Sequence, residues 1–152
     1  MWRLEGRKFE EKRISSHLEY FPTKLIEIGP TSLSLQLWDP SGSEAFSLLF
    51  SPFYRNTDGC FIVFDICAPG TFIRVQEWFD EVSAHCGGVV KVLVGNKCDL
   101  DGERKVSFAE AEGFAQQLGM TYIETSAKDG TNVKEMLVHI ARLLQANNQP
   151  NN

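Results

Sequence analysis

Three short runs rich in β-branched and aromatic residues punctuate the second half of this chain: CFIVFDI (60 to 66), VVKVLVG (89 to 95) and TYIET (121 to 125). The first two are continuously apolar, as in strands covered on both faces of a parallel sheet. The segments between and after them have helical spacing. Phe72, Val75, Phe79 and Val82 form one stripe, opened by Gly70-Thr71 and closed before Gly87-Gly88. Ser107-x-x-Glu110 reads as a capping box for a helix that turns Phe108, Ala111, Ala115 and Leu118 inward and stops at Gly119. Asn132-x-x-Glu135 reads as a cap for a last helix with Val133, Met136, Leu137, Ile140, Leu143 and Leu144 on its apolar face. Parallel strands need crossovers, and right-handed ones place helices on both sheet faces, so this order predicts an α/β, three-layer fold. Ahead of it, LIEI (25 to 28), a Gly29-Pro30 turn and LSLQLW (33 to 38) predict a hairpin bounded by Asp39-Pro40. With 152 residues, 43% of them hydrophobic, the chain suffices for one core and not for two.

Ligands of such sheets sit beyond the carboxyl ends of the strands. Two polar clusters fall there, Asn96 to Asp99 and Thr125 to Lys128. An ionised carboxylate accepts two parallel hydrogen bonds, so Asp99 suits adjacent ring N–H and amino donors, which guanine presents and adenine does not. Asn96 offers an amide either to a ring acceptor or to a neighbouring loop. The methylene stems of Lys97 and Lys128 can sandwich a flat ring. Ser126 and Ala127 are small enough for a backbone N–H to approach a carbonyl oxygen such as guanine O6. A lone N-K-x-D is usually a solvated loop; T-S-A-K at the end of the next strand turns it into half of a site.

Charge and cysteine usage exclude other classes. The net charge is −5 and no Lys/Arg block stands out, so nucleic acid and anionic membrane are not expected as direct ligands. Cys60, Cys67, Cys86 and Cys98 show no C-x-x-C spacing, which fits a reduced, cytoplasmic setting. The charged start MWRLEGRKFEEKR is unlike a signal peptide, and no apolar stretch is long enough for a membrane span.

These residues carry a resemblance to the Rab-type small GTPases of the Ras superfamily. GNKCDL (95 to 100) resembles the guanine-reading N-K-x-D motif, and ETSAK (124 to 128) matches the second base-binding loop letter for letter. LQLWDPSGSEAF (35 to 46) is similar to the segment around the magnesium aspartate and switch II. FYRN (53 to 56), IVFDI (62 to 66) and TFIRVQEWFDEV (71 to 82) follow Rab habits rather than those of Rho or Arf. The resemblance implies a small-GTPase fold with a mostly parallel sheet. It implies guanine contacts at Asn96, Lys97, Asp99, Ser126, Ala127 and Lys128, and GTP or GDP with Mg²⁺ as ligands. RISSHLEYF (13 to 21) lies on the first switch, which puts Ser16 on the magnesium-binding hydroxyl, with Asp39 as the second metal position. Gly42 is placed beside the γ-phosphate. Phe21, Trp38 and Phe53 fall on the aromatic triad that Rabs show to effectors; packing of a hairpin on a helix accounts for them equally.

The same register leaves parts of the family pattern without a counterpart. Extrapolated leftward from Phe9, it reaches Met1 within the last turn of the family's first helix, and the 152 residues contain no G-x-x-x-x-G-K-[ST]. Three or more charge-assisted bonds lost, at about 1.5 to 3 kcal/mol each, remove at least about 5 kcal/mol, or roughly three orders of magnitude in affinity. Ser43 stands where the family keeps the glutamine that orients the attacking water, so no catalytic residue is assigned. Pro40 and Ser41 replace a threonine and an alanine of the switch. The expectation is therefore one incomplete domain over 1–152, with a core at 13–146 and a disordered tail at 147–152, missing the first strand, the phosphate loop and most of the first helix. That strand belongs between 33–38 and 60–66, so its loss leaves two inner edges unpaired or makes those strands pair directly. No cysteine follows Cys98, hence no prenylation site, and membrane association would come through partners such as Rab effectors or regulators. Three functions are compatible with this pattern: a guanine-nucleotide switch of vesicle trafficking with impaired binding and hydrolysis, a pseudo-GTPase interaction module without nucleotide turnover, and a non-functional truncated product.

Overall fold

The computed structural model describes residues 22–38 and 56–148. Their order is β1 (Thr23–Ile28), β2 (Thr31–Gln36), β3 (Gly59–Asp65), α1 (Pro69–Ile73), α2 (Val75–His85), β4 (Val90–Asn96), a 3₁₀ segment (Cys98–Glu103), α3 (Phe108–Gln117), β5 (Thr121–Thr125) and α4 (Val133–Asn147). The architecture is mixed α/β, as expected, with β3, β4 and β5 in one parallel sheet in the order β3-β4-β5. The strands are aligned rung by rung, Phe61 with Val92 and Thr121 at one end, Asp65 with Asn96 and Thr125 at the other. A period of two then sorts their side chains to two faces.

On one face, Ile62, Phe64, Ile66 and Leu93 pack with Val75, Val106, Ala111, Ala115 and Met120. Phe72 stands against Phe64 and Phe114 at 4.9 and 5.4 Å between ring centroids. Phe72, Val75 and Phe79 of the expected stripe reach this core, along two helices that meet at Arg74, whereas Val82 packs in a separate cluster with Cys86 and Val89. Phe108, expected inward at the start of α3, is about half exposed and lies on the Tyr122 ring at 5.1 Å. Its helix does begin with the Ser107 hydroxyl accepting the Glu110 N–H at 3.2 Å. It ends at Gly119, whose φ of +69° is the left-handed geometry that glycine reaches without a Cβ penalty.

The other face belongs to α4. Ile140 and Leu144 seat on Val92 and Val94 of the parallel sheet, while Leu137 and Ala141 enclose Ile26 of β1. Leu33, Leu35 and Phe61 join both clusters. The hairpin β1-β2 is antiparallel, with Ile26 opposite Leu33 across the Gly29 turn. Gln145 of α4 donates to the Thr31 hydroxyl at 2.7 Å, and Leu37 N–H to Pro22 C=O at 3.0 Å adds a bond beyond β2. Among the described residues no hydrogen-bonded ladder joins β2 to β3. Direct pairing of those strands, one of two outcomes expected for a missing inner strand, does not occur; α4 connects the two sheets instead. Val63, in the middle of β3 on the α4 side, is more than half exposed. Asn132 does not cap α4 with its side chain, contrary to the capping box read there. Its Nδ2 donates to Glu124 C=O at 2.8 Å, and its backbone takes a left-handed φ of +55°.

Candidate functional site

Because Asp65, Asn96 and Thr125 occupy one rung at the carboxyl end of the sheet, the loops that follow them converge. The chain leaves β4 through Lys97, held at φ +69°, and turns at once into the 3₁₀ segment, which brings Asp99 toward β5. After β5, Ser126 is fully buried and works as the hub of its loop. Its hydroxyl donates to Asp99 Oδ1 at 2.6 Å and accepts the Lys128 and Asp129 backbone N–H groups, each at 3.2 Å. Its backbone N–H donates to Thr131 C=O, and its C=O accepts from Gly130.

Asn96 Oδ1 accepts the Ala127 N–H at 3.2 Å, so of the two roles open to this amide in sequence the structure shows loop tying. Asp99 is largely buried, and Lys128 Nζ stands 3.9 Å from its Oδ2. Ser126 uses one of roughly four acceptor positions of that carboxylate. The remainder can accept two parallel donors from a planar ring. Gly95, just before Asn96, is required by packing: a Cβ there would overlap the Tyr122 hydroxyl and lie 3.0 Å from Ile66 Cγ2.

Behind the two loops lies a polar brace that residue patterning does not reveal. Arg104 places Nη1 and Nη2 on the two oxygens of Glu124 at 2.6 and 2.8 Å, and bonds Asp101 at 2.7 Å and Val106 C=O at 3.2 Å. Tyr122 also donates to Glu124 Oε1 at 2.8 Å. Burial by itself would raise the Glu124 carboxyl; the Arg104 fork and the Tyr122 hydroxyl outweigh it and hold the group below the ordinary glutamate range. Burial, then the bond to Glu124, pushes the Tyr122 phenol well up. The brace ties the 3₁₀ segment after Asn96-Asp99 to the strand that carries Ser126-Lys128. The separation of twenty positions between Arg104 and Glu124 hides it from sequence reading. Asp65 was also missed, although its place at the end of an apolar strand, level with Asn96, is the signal that would have found it.

All six expected guanine-contact residues are therefore at one end of the sheet, tied to one another by Asn96 and Ser126. Of the aromatic triad, Trp38 is about half exposed, two residues beyond β2. Ser16, Phe21, Asp39, Gly42, Ser43 and Phe53 lie outside the described residues. Among the described residues there is no group of three or more His, Cys, Asp or Glu side chains placed to hold a metal, and no helix is long and apolar enough to cross a membrane.

Residues 1–146 match the sequence profile of the Ras family. The chain is 45% identical over 125 residues to the Ras-related protein Rab-39A of Mus musculus, covering 80% of this chain and 58% of that protein. It is 41% identical to the Ras-related protein RABA5b of Arabidopsis thaliana, covering 80% and 57%. It is 38% identical to the Ras-related protein Rab-1D of Dictyostelium discoideum, covering 80% and 60%. The chain thus spans a little under three fifths of the length of these relatives. With residues 1–146 matched by that profile, the chain belongs to the Ras family, as a Rab-type small GTPase.

Proposed function

We propose that this chain carries the guanine-reading half of a trafficking-type nucleotide switch. Asp99 accepts the ring N–H and amino donors of guanine; Ser126 buttresses it; Lys97 and Lys128 flank the ring; the Ala127 backbone lies beside the base oxygen. The observation that carries this reading is the Ser126 to Asp99 bond of 2.6 Å, which holds a largely buried carboxylate at the shared mouth of the two loops. The guanine seat fits its ligand by donor set. GTP or GDP, when bound, supplies the base for this seat and phosphates with Mg²⁺ for positions such as Ser16, Asp39 and Gly42. The chain's 152 residues hold no phosphate-loop motif and carry Ser43 at the glutamine position, so nucleotide affinity and hydrolysis by this chain alone are both low.

Asp99→Asn tests the seat. An amide in place of the carboxylate turns one acceptor into a donor facing guanine's own donors. Guanosine affinity measured by calorimetry or NMR titration is expected to fall about ten- to a hundredfold, the share of one charge-assisted pair. Unchanged guanosine-over-adenosine preference in that variant would remove Asp99 from the site.

A second reading, a partner-binding module without nucleotide turnover, is favoured by exposed aromatic and aliphatic surface on the hairpin, where Trp38 and Leu25 both face solvent. Nucleotide released by heat from purified protein separates the two. Any guanine nucleotide retained supports the switch, whereas none, with no guanosine preference on titration and with capture of a Rab effector by a soluble monomer, supports the module.

A further inference from the structure

The guanine reading assigns no part to Asp65, yet this carboxylate is firmly held at the mouth of the site. It ends β3 on the same rung as Asn96 and Thr125. Its backbone N–H donates to the Thr71 hydroxyl at 3.0 Å, and its Oδ1 accepts the Cys67 N–H at 2.8 Å. With one oxygen so fixed, the other is aimed across the sheet end and meets Lys97 Nζ at 2.5 Å. Lys97 leaves the backbone in the left-handed conformation. Its four-carbon stem therefore runs from the end of β4 back over the end of β3, anchored at both ends. Asp65 is four-fifths buried as a side chain, while Lys97 remains half exposed along its length.

We propose that Asp65 positions Lys97 for base binding. By holding the ammonium it lays the methylene stem out as a ready-made wall for one face of the ring, and it sets how tightly guanine is held rather than which base is chosen. This rests on the guanine reading above. A free lysine must order its rotatable stem when a ring docks on it, and that ordering lowers affinity; a stem already tied to a carboxylate has lost the freedom beforehand. Base choice stays with Asp99, which has no contact with the pair at hydrogen-bonding distance.

The test is a double-mutant cycle on the full chain, titrated with guanosine, inosine and adenosine. Asp65→Asn keeps an oxygen for the Cys67 N–H but gives up the charge that grips Lys97. Guanosine affinity is expected to fall about two- to tenfold, the range for one side chain that must be ordered on binding, and inosine affinity to fall by the same factor. In a Lys97→Met background, the Asp65→Asn change should have no further effect. A merely structural role of Asp65 would lower affinity in both backgrounds. Should Asp65→Asn fail to fold, the lysine side carries the test. Lys97→Met keeps an apolar stem without the bond and should lose as much, whereas Lys97→Arg keeps a cation on Asp65 and should stay within about twofold of the parent. Unchanged or tighter guanosine binding by Asp65→Asn, or full affinity in Lys97→Met, overturns the proposal while leaving the guanine reading intact. A parent chain without preference for guanosine over adenosine overturns both.

Discussion

Ser126 illustrates how much a small side chain does at this site. Fully buried, it fixes Asp99 with its hydroxyl and closes its own loop through two backbone N–H groups. Glu124 does comparable work behind the loops, and its ionisation gives that work a pH signature. Its folded-state pKa is depressed below the reference value of 4.5. The stabilisation it contributes is therefore complete above about that pH and is lost as pH falls through the depressed folded value. Glu124→Gln is expected to cost about 1 to 3 kcal/mol at pH 7, as one charge-assisted fork is weakened. Urea unfolding followed from pH 7 to pH 3 should show the gap between parent and variant closing on the acid side. A gap independent of pH would mean that Glu124 acts through packing alone. Burial pushes the Cys60 thiol up to about 11, so it is a core group rather than a reactive one at neutral pH.

Helix α4 has the most consequential position of any element. It buries Leu137 and Ala141 against the hairpin and Ile140 and Leu144 against β4, so one apolar face serves two sheets that share no ladder among the described residues. Its face was readable from spacing, Ala141 excepted, because helical periodicity is local. Its dual role was not, because that depends on where a distant hairpin comes to rest. Leu137→Ala should cost about 2 to 5 kcal/mol, as for other buried leucines. The loss should fall on the hairpin first: amide exchange in β1 and β2 should accelerate more than in β4. Equal acceleration of all strands would show that the hairpin and the parallel sheet unfold as one unit.

The described residues form a parallel α/β core with a hairpin moored to it by a helix, and Val63 is more than half exposed in the middle of β3. Among the described residues β3 pairs with β4 alone, and the hairpin strands pair only with each other. Hydrogen exchange in the isolated monomer is expected to show strong protection in β4, which is paired on both sides, and weaker protection in 33–38 and in β3. Protection of 33–38 and 60–66 equal to that of β4 would show that pairing on one side only does not loosen these strands.

Local pattern determined a great deal here: the strand and helix order from residue 60 onward, the hairpin, the two polar loops at the sheet's carboxyl end and their family all follow from side-chain periodicity and short motifs, which neighbours in sequence impose on one another. Distance hides the rest. The Phe72 stripe breaks at Arg74, while Phe108 turns outward onto Tyr122 and Asn132 reaches Glu124 instead of capping, both with partners on β5 rather than on their own helices. Tertiary structure alone decided that Asp65 would meet Lys97 and that Arg104 would fork onto Glu124. Both pairings arise only when parallel strands align their carboxyl ends, and strand register is a property of the assembled sheet rather than of any stretch within it.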